Sequence, residues 1–171
     1  MPRKAQPAPG EKRSAVQAEA RCVCGAVRVE IDVPGVWAWH DHGEASRRAQ
    51  GCAYATYVGS WKSRFRFLAG KDQLTRFADA QRRTVRSFCA RCGTPMLYER
   101  VRSPKIVNIP RAQFLSRTGR EPRYHVNLSE KADWTWTGEP LAPLSGYPGV
   151  MRERPKRKKP PMPSTSLFTP D

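Results

Sequence analysis

The sequence predicts a mainly β protein, a sandwich or a barrel with few short helices. Two observations predict this class, and a third indicates how the domain is closed. Apolar and polar residues alternate with a period of two through most of residues 21–149, which is typical of strands with one buried face. Gly, Pro and Asp turns separate the short apolar runs. Two close pairs of cysteines, about 65 residues apart, indicate a metal that ties distant segments together.

The individual elements follow from this alternation. The clearest strand is predicted at residues 27–33, where apolar and polar residues alternate until Pro34 and Gly35 turn the chain. Helical structure is limited to residues 44–50 and a turn at 111–115. Further strands are predicted at residues 53–59, 65–68, 75–78, 84–88, 96–99, 106–109 and 124–126.

The 171 residues suit one domain flanked by two disordered segments. The domain is predicted at residues 21–149. Residues 1–20 form an N-terminal arm rich in charge, Pro and Ala, and residues 150–171 form a basic, Pro-rich tail. No apolar run is long enough to cross a membrane, and residues 1–20 lack a signal-peptide pattern. We therefore expect a soluble, cytoplasmic protein without a membrane partner.

The chain carries a net charge of +16, and the folded part and the tail are both basic. A basic surface can bind nucleic acid or an acidic protein partner, or it can simply reflect a high-pI protein that its charge keeps soluble. The scattered arginines of residues 21–149 favour the second interpretation. The tail favours the first, because residues 152–159 hold six Lys and Arg side chains next to prolines.

The two cysteine pairs predict one tetrahedral, structural zinc site. Cys22 and Cys24 enclose one residue, Cys89 and Cys92 enclose two, and a glycine directly follows each pair. Glycine lets the backbone fold back so that its N–H groups point at the thiolates. Two disulfides or four unrelated thiols are the alternatives. A Cys-x-Cys pair is poorly placed to bridge to itself, and four unrelated cysteines rarely fall into two such pairs.

Four motifs carry a resemblance to a known family: RCVCGAV at 21–27, RRAQG at 47–51, SFCARCGTP at 87–95 and HVNLSEKADW at 125–134. In this order they resemble the glutathione-dependent formaldehyde-activating enzyme family, which also includes centromere protein V. The resemblance covers roughly residues 21–149. It implies a β-tent of antiparallel sheets, one structural zinc on four cysteines and a second, catalytic zinc. The implied chemistry joins formaldehyde to the glutathione thiol or cleaves that carbon–sulfur bond.

The chain departs from the family pattern where the resemblance places the catalytic zinc. That zinc is held by three cysteines, written Cys-His-Cys-x-x-Cys-Arg, just before the short helix. Counting back from Arg47, these positions are Asp41, Gly43 and Ser46, while the histidine remains as His42. Glycine offers no side chain and serine is a poor zinc ligand, so the usual second site cannot form. The catalytic residues are therefore unknown, and we expect the adduct chemistry to be weak, altered or lost.

The same stretch offers a different set of metal ligands. In an extended segment His40, His42 and Glu44 point to one face, because side chains alternate along a strand. Two imidazoles and a carboxylate can form an open zinc or iron site. The alternative is a polar loop before a helix, in which Glu44 is favourable in the first turn because of the helix dipole.

The sequence leaves two functions open. The first is a carbon–sulfur lyase of the S-(hydroxymethyl)glutathione synthase type, or a pseudoenzyme derived from one. Its degenerate site would bind a glutathione-type thiol adduct. The second is a non-catalytic zinc domain that binds nucleic acid or an acidic partner through its basic surface and tail. Metal content distinguishes them, because one zinc per chain supports a binding module and two support an enzyme with replacement ligands.

The tail yields a testable prediction. Residues 152–159 should add non-specific, salt-sensitive affinity for polyanions, since each neutralised phosphate of duplex DNA releases counterions and steepens the salt dependence by about 0.9 per contact. Truncation after Gly149 should flatten that dependence. The measurement is a DNA titration at several salt concentrations with both chains. Equal affinity and equal slope would show that the tail does not bind polyanions.

Overall fold

The structure is a computed structural model that describes residues 16–135 and 141–153. Within these residues the chain forms twelve strands in two sheets and one α-helix, which confirms the predicted mainly β class. The one helix and the short 3₁₀ turns in this part of the chain are too short to cross a membrane.

Every predicted strand has a counterpart, and the predicted helix is α1, Glu44–Gln50. Four 3₁₀ turns cover Lys62–Arg64, Lys71–Gln73, Arg111–Gln113 and Leu128–Glu130. The strands are β1 Gln17–Arg21, β2 Arg28–Asp32, β3 Trp37–Asp41, β4 Ala55–Trp61, β5 Phe65–Ala69, β6 Leu74–Asp79, β7 Thr84–Cys89, β8 Pro95–Arg100, β9 Ile106–Pro110, β10 Tyr124–Val126, β11 Leu141–Pro143 and β12 Met151–Glu153.

The strands form a small sheet and a large one that share a core. The small sheet has the order β1-β2-β5, and the large sheet has the order β11-β12-β10-β3-β4-β9-β8-β7-β6. Ile31 and Val29 of the small sheet belong to one buried cluster with Val58, Met96 and Ile109 of the large sheet. Burial of these aliphatic side chains between the sheets supplies the main apolar stabilisation of the fold.

The folded part extends beyond the predicted boundaries at residues 21 and 149. Strand β1 begins at Gln17 and pairs with β2 along its whole length, and the alanines on its inner face are fully buried. Strand β12 lies between β10 and β11, so a cut after Gly149 removes part of the large sheet. The tail is better removed after Glu153. Residues 1–15 and 154–171 lie outside the described residues, and the division into a domain and two terminal segments stays a prediction.

Strand β3 was not predicted, and it positions the functional residues. It lies inside the large sheet between β4 and β10. The described pairings are antiparallel apart from the one between β3 and β10, which is parallel and sets His125 beside His40 and Val126 beside Asp41. After Asp41 the chain passes through His42 and enters helix α1.

Candidate functional site

Four cysteines lie close enough together to hold one tetrahedral metal ion. Their sulfur atoms are all within 4.8 Å of one another, with 3.5 Å between Cys22 and Cys24 and 3.8 Å between Cys24 and Cys89. Four sulfurs at about 2.3 Å from a tetrahedral zinc are about 3.8 Å apart. The predicted donor set, completed by Cys92, is therefore assembled and has the dimensions that zinc requires.

The thiols of this cluster influence one another. A hydrogen bond with the Thr94 hydroxyl, at 3.1 Å, lowers the pKa of Cys92 to about 5. At Cys24 a hydrogen bond from the Ala26 N–H lowers the pKa, but the neighbouring thiols, Cys92 first among them, raise it to about 11. Adjacent thiolates repel each other, so all four cannot ionise together without a cation. A bound metal ion removes that restriction.

The cysteine cluster joins the two sheets. Cys22 and Cys24 follow β1 of the small sheet, and the second pair lies at the end of β7 in the large sheet. Gly25 and Gly93 have φ angles of +76° and +71°, which confirms the turns that the sequence predicted after each pair. The N–H of Val27 points at Cys22 Sγ at 3.2 Å, as in a zinc knuckle.

The three positions that the resemblance assigns to zinc-binding cysteines lie close together, but they are already occupied by hydrogen bonds with one another and with neighbouring groups. The Ser46 hydroxyl donates to Asp41 Oδ2 at 2.6 Å, and the Gly43 N–H donates to Asp41 Oδ1 at 3.0 Å. The side-chain amide of Asn127 donates to the same Oδ1 at 2.8 Å. Asp41 is only 4% exposed, and three hydrogen bonds compensate the burial of its carboxylate.

Arg86 of β7 adds a positive charge to this network, and no feature of the sequence had pointed to it. Its Nη2 donates to the Ser46 hydroxyl at 3.1 Å, and its Nη1 donates to the Tyr57 hydroxyl at 3.0 Å. The guanidinium lies 4.4 Å from the ring centroid of Tyr98. Arg86 is therefore one hydroxyl group away from Asp41. A fixed positive charge at this distance repels a divalent cation.

A cleft beside Asp41 has two adjoining parts. The larger, about 700 Å³, lies over Trp37 and Trp39 and is bounded by residues 147–151. The smaller, about 330 Å³, lies beside α1. Cavities of these sizes suit small molecules, and the charge of the smaller part suits an anion. Five arginines line that part: Arg82, Arg83, Arg86, Arg100 and Arg102.

The three histidines of the chain lie together, away from the cleft. Because side chains alternate along β3, His40 points to the face opposite Asp41. Its ring centroid is 4.8 Å from that of His125, and His42 stacks on His125 at 5.2 Å. Burial lowers the pKa of His40 and of His42 to about 4, and burial also lowers the pKa of His125. The three rings are therefore neutral at neutral pH.

The predicted metal set of His40, His42 and Glu44 is not assembled. Strand β3 ends at Asp41 and α1 begins at Glu44, so the extended conformation on which the prediction depended stops too early. Glu44 instead pairs with Arg48, one helical turn later, at 2.7 Å. In the part of the chain that the structure describes, two sets could hold a metal ion: the four cysteines, and His40 with His125 and Glu153.

Comparison with known proteins identifies the family. Residues 17–130 match the family model described as glutathione-dependent formaldehyde-activating enzyme, so the chain belongs to this family. A crystal structure of a Rhodobacter sphaeroides protein, a structural genomics target, has a TM-score of 0.50 at 24% identity. The match covers 58% of this chain and 89% of that chain, and it shows a similar fold. No curated protein matches the chain. The likeness to centromere protein V stays a prediction.

Loss of one cysteine of the cluster should unfold the protein. We expect Cys89→Ser to lose its metal and to unfold or aggregate, because a structural zinc adds about 10–16 kcal/mol of binding energy to folding. That is comparable with the whole stability of a typical domain, about 5–15 kcal/mol. The matched control is Cys52→Ser, which changes the one cysteine outside the cluster. Zinc content and melting temperature are the measurements, and a folded Cys89→Ser protein with an unchanged melting temperature would contradict the assignment.

Proposed function

We propose that the protein is a zinc-binding member of the family that binds a small anionic thiol adduct of the glutathione type, with adduct chemistry that is weak, altered or lost. The observation that carries this proposal is the Asp41 network. Where the family holds its catalytic zinc, this chain has a carboxylate, a glycine and a hydroxyl joined by hydrogen bonds. The one zinc that we propose sits on the four cysteines and is structural.

The network removes the means of activating a thiol. A zinc ion on soft ligands acts by lowering the pKa of a bound thiol, and such a site needs sulfur or nitrogen donors. A metal at Asp41 and Ser46 would first have to break their buried hydrogen bonds, at a cost of about 1–3 kcal/mol for each group left unsatisfied. It would also have to approach the guanidinium of Arg86. Both effects oppose a second zinc at this position.

The cleft retains what binding requires. A glutathione-type adduct carries two carboxylates, and Arg100 and Arg102 line both parts of the cleft. The Nε–H of Arg100 is buried and has no hydrogen-bond partner among the described residues. Burial leaves the charge of Arg100 poorly solvated and so lowers the pKa of its guanidinium. A bound carboxylate would supply both the missing acceptor and the missing negative charge.

The alternative, a non-catalytic domain that binds nucleic acid or an acidic partner through its tail, stays a prediction. Residues 154–159 of the predicted tail lie outside the described residues, and Arg152 and Glu153 belong to β12. The dimensions of the cleft favour a small molecule over a nucleic acid. A cytoplasmic location likewise stays a prediction.

The proposal predicts binding without turnover. The purified full chain should form the glutathione–formaldehyde adduct no faster than the uncatalysed reaction, while it binds S-methylglutathione measurably by calorimetry. Faster, zinc-dependent adduct formation would overturn the proposed loss of chemistry. Absence of binding would overturn the proposed ligand.

Two arginine variants locate the binding. Arg102→Gln should weaken S-methylglutathione binding about 2- to 5-fold, since an exposed charge pair contributes up to about 1 kcal/mol. Arg117→Gln is the matched control, because Arg117 is exposed and lies outside the cleft. Equal affinities for the two variants would place the ligand elsewhere.

A further inference from the structure

We propose that His40, His125 and Glu153 form a binding site for a divalent first-row metal ion, separate from the cysteine cluster and from the cleft. This inference does not depend on the proposed function. One donor atom from each residue lies within 4.8 Å of the other two. The set combines two imidazoles and a carboxylate, which are the ligands of open zinc and ferrous iron sites.

Strand pairing brings the three residues together. In the parallel pair β3–β10, His125 lies directly beside His40. In the antiparallel pair β10–β12, His125 lies opposite Met151, so Glu153 is two residues further along the same face. A diagonal neighbour of this kind is within reach of a long side chain. Three adjacent strands therefore present the donors to one point.

The separation of the donors fits a metal better than a hydrogen bond. His125 Nε2 lies 3.6 Å from Glu153 Oε1, which is too long for a hydrogen bond. Two ligands that bind one tetrahedral zinc at about 2.0–2.1 Å are about 3.3 Å apart. An ion between the two atoms would satisfy both with only a small adjustment of the side chains.

The buried nitrogen of His125 also points to a ligand. His125 is 2% exposed, and its Nε2 has no hydrogen-bond partner in residues 16–135 and 141–153. Its other nitrogen, Nδ1, lies 2.8 Å from Nε2 of the buried His42. When His125 donates its Nδ1–H to His42, Nε2 carries the lone pair that a metal requires. Histidine ligands usually donate their second N–H to a fixed acceptor in this way.

The remaining surroundings match an open site. The ring of His40 is held by a contact of 2.9 Å between its Nδ1 and the Thr56 hydroxyl. His40 and Glu153 are both partly exposed, so an ion can enter from solvent. Glu153 lies beyond residues 17–130, the part that matches the family model. His40 and His125 lie inside that matched region, so the ligand set combines residues from within it and beyond it.

Cobalt titration tests the site. The zinc-loaded full chain, with any polyhistidine tag removed, is titrated with Co²⁺ and followed by calorimetry and visible absorption. We expect one Co²⁺ per chain with d–d bands and without the charge-transfer band of a thiolate ligand. Glu153→Gln should weaken binding by at least the roughly 10–100-fold that loss of a second-shell partner costs.

The matched control is Glu44→Gln, which makes the same change at the carboxylate that the sequence spacing had suggested as a metal ligand. It should bind Co²⁺ like the unmodified chain. Melting temperature and zinc content are measured for both variants, so that loss of the site is distinguished from unfolding. The proposal is overturned if the unmodified chain binds no Co²⁺ outside the cysteines, if Glu153→Gln binds it unchanged, or if Glu44→Gln loses it equally.

Discussion

The rest of the structure depends on the four cysteines that lie between the two sheets, where we propose that one zinc ion ties the sheets together. Bringing together two cysteine pairs that are 65 residues apart in the sequence costs chain entropy. A metal ion that binds only in the native state would offset that cost. The tie also fixes functional residues, because β7 carries both Cys89 and Arg86. Because the cysteine cluster fixes one end of β7, this strand holds the guanidinium of Arg86 against Ser46. Stability and the chemistry of the cleft are linked through this strand.

The parallel pair β3–β10 separates two kinds of chemistry. One face of β3 presents Trp39 and Asp41 to an arginine-lined cleft, and the other presents His40 to His125. The positions that the resemblance assigns to the catalytic zinc hold a hydrogen-bonded network of a carboxylate, a hydroxyl and a guanidinium, and we propose that this network favours anion binding over thiol activation. The opposite face collects nitrogen and oxygen donors. The proposed metal site and the proposed ligand cleft therefore lie on different sides of one strand.

Local sequence pattern predicted helix α1 and eight of the strands, because each depends on neighbouring residues. The four-cysteine set was predicted from the spacing within two pairs, although those pairs lie 65 residues apart. Strand β3 escaped prediction because Trp37–Asp41 is mostly buried on both faces and shows no alternation. Strand β1 also escaped prediction, because its buried alanines form a strand by pairing with β2. Glu44 was included in the predicted metal set because side chains alternate along an extended segment, but that segment ends with β3. His125 and Glu153 join His40 only through long-range strand pairing, which no local spacing reveals. Arg86 reaches Ser46 through a side-chain contact between β7 and α1, which is equally invisible to local spacing.

The central claim is that this chain binds zinc at the four cysteines but binds no metal at the family's catalytic zinc position. Anomalous diffraction at the zinc edge, from crystals of the full chain grown with zinc, tests it most directly. We expect one strong peak among Cys22, Cys24, Cys89 and Cys92, a second between His125 and Glu153, and none beside Asp41. A peak within bonding distance of Asp41 and Ser46 would contradict the account, because the hydrogen bonds that close this position could not then exist.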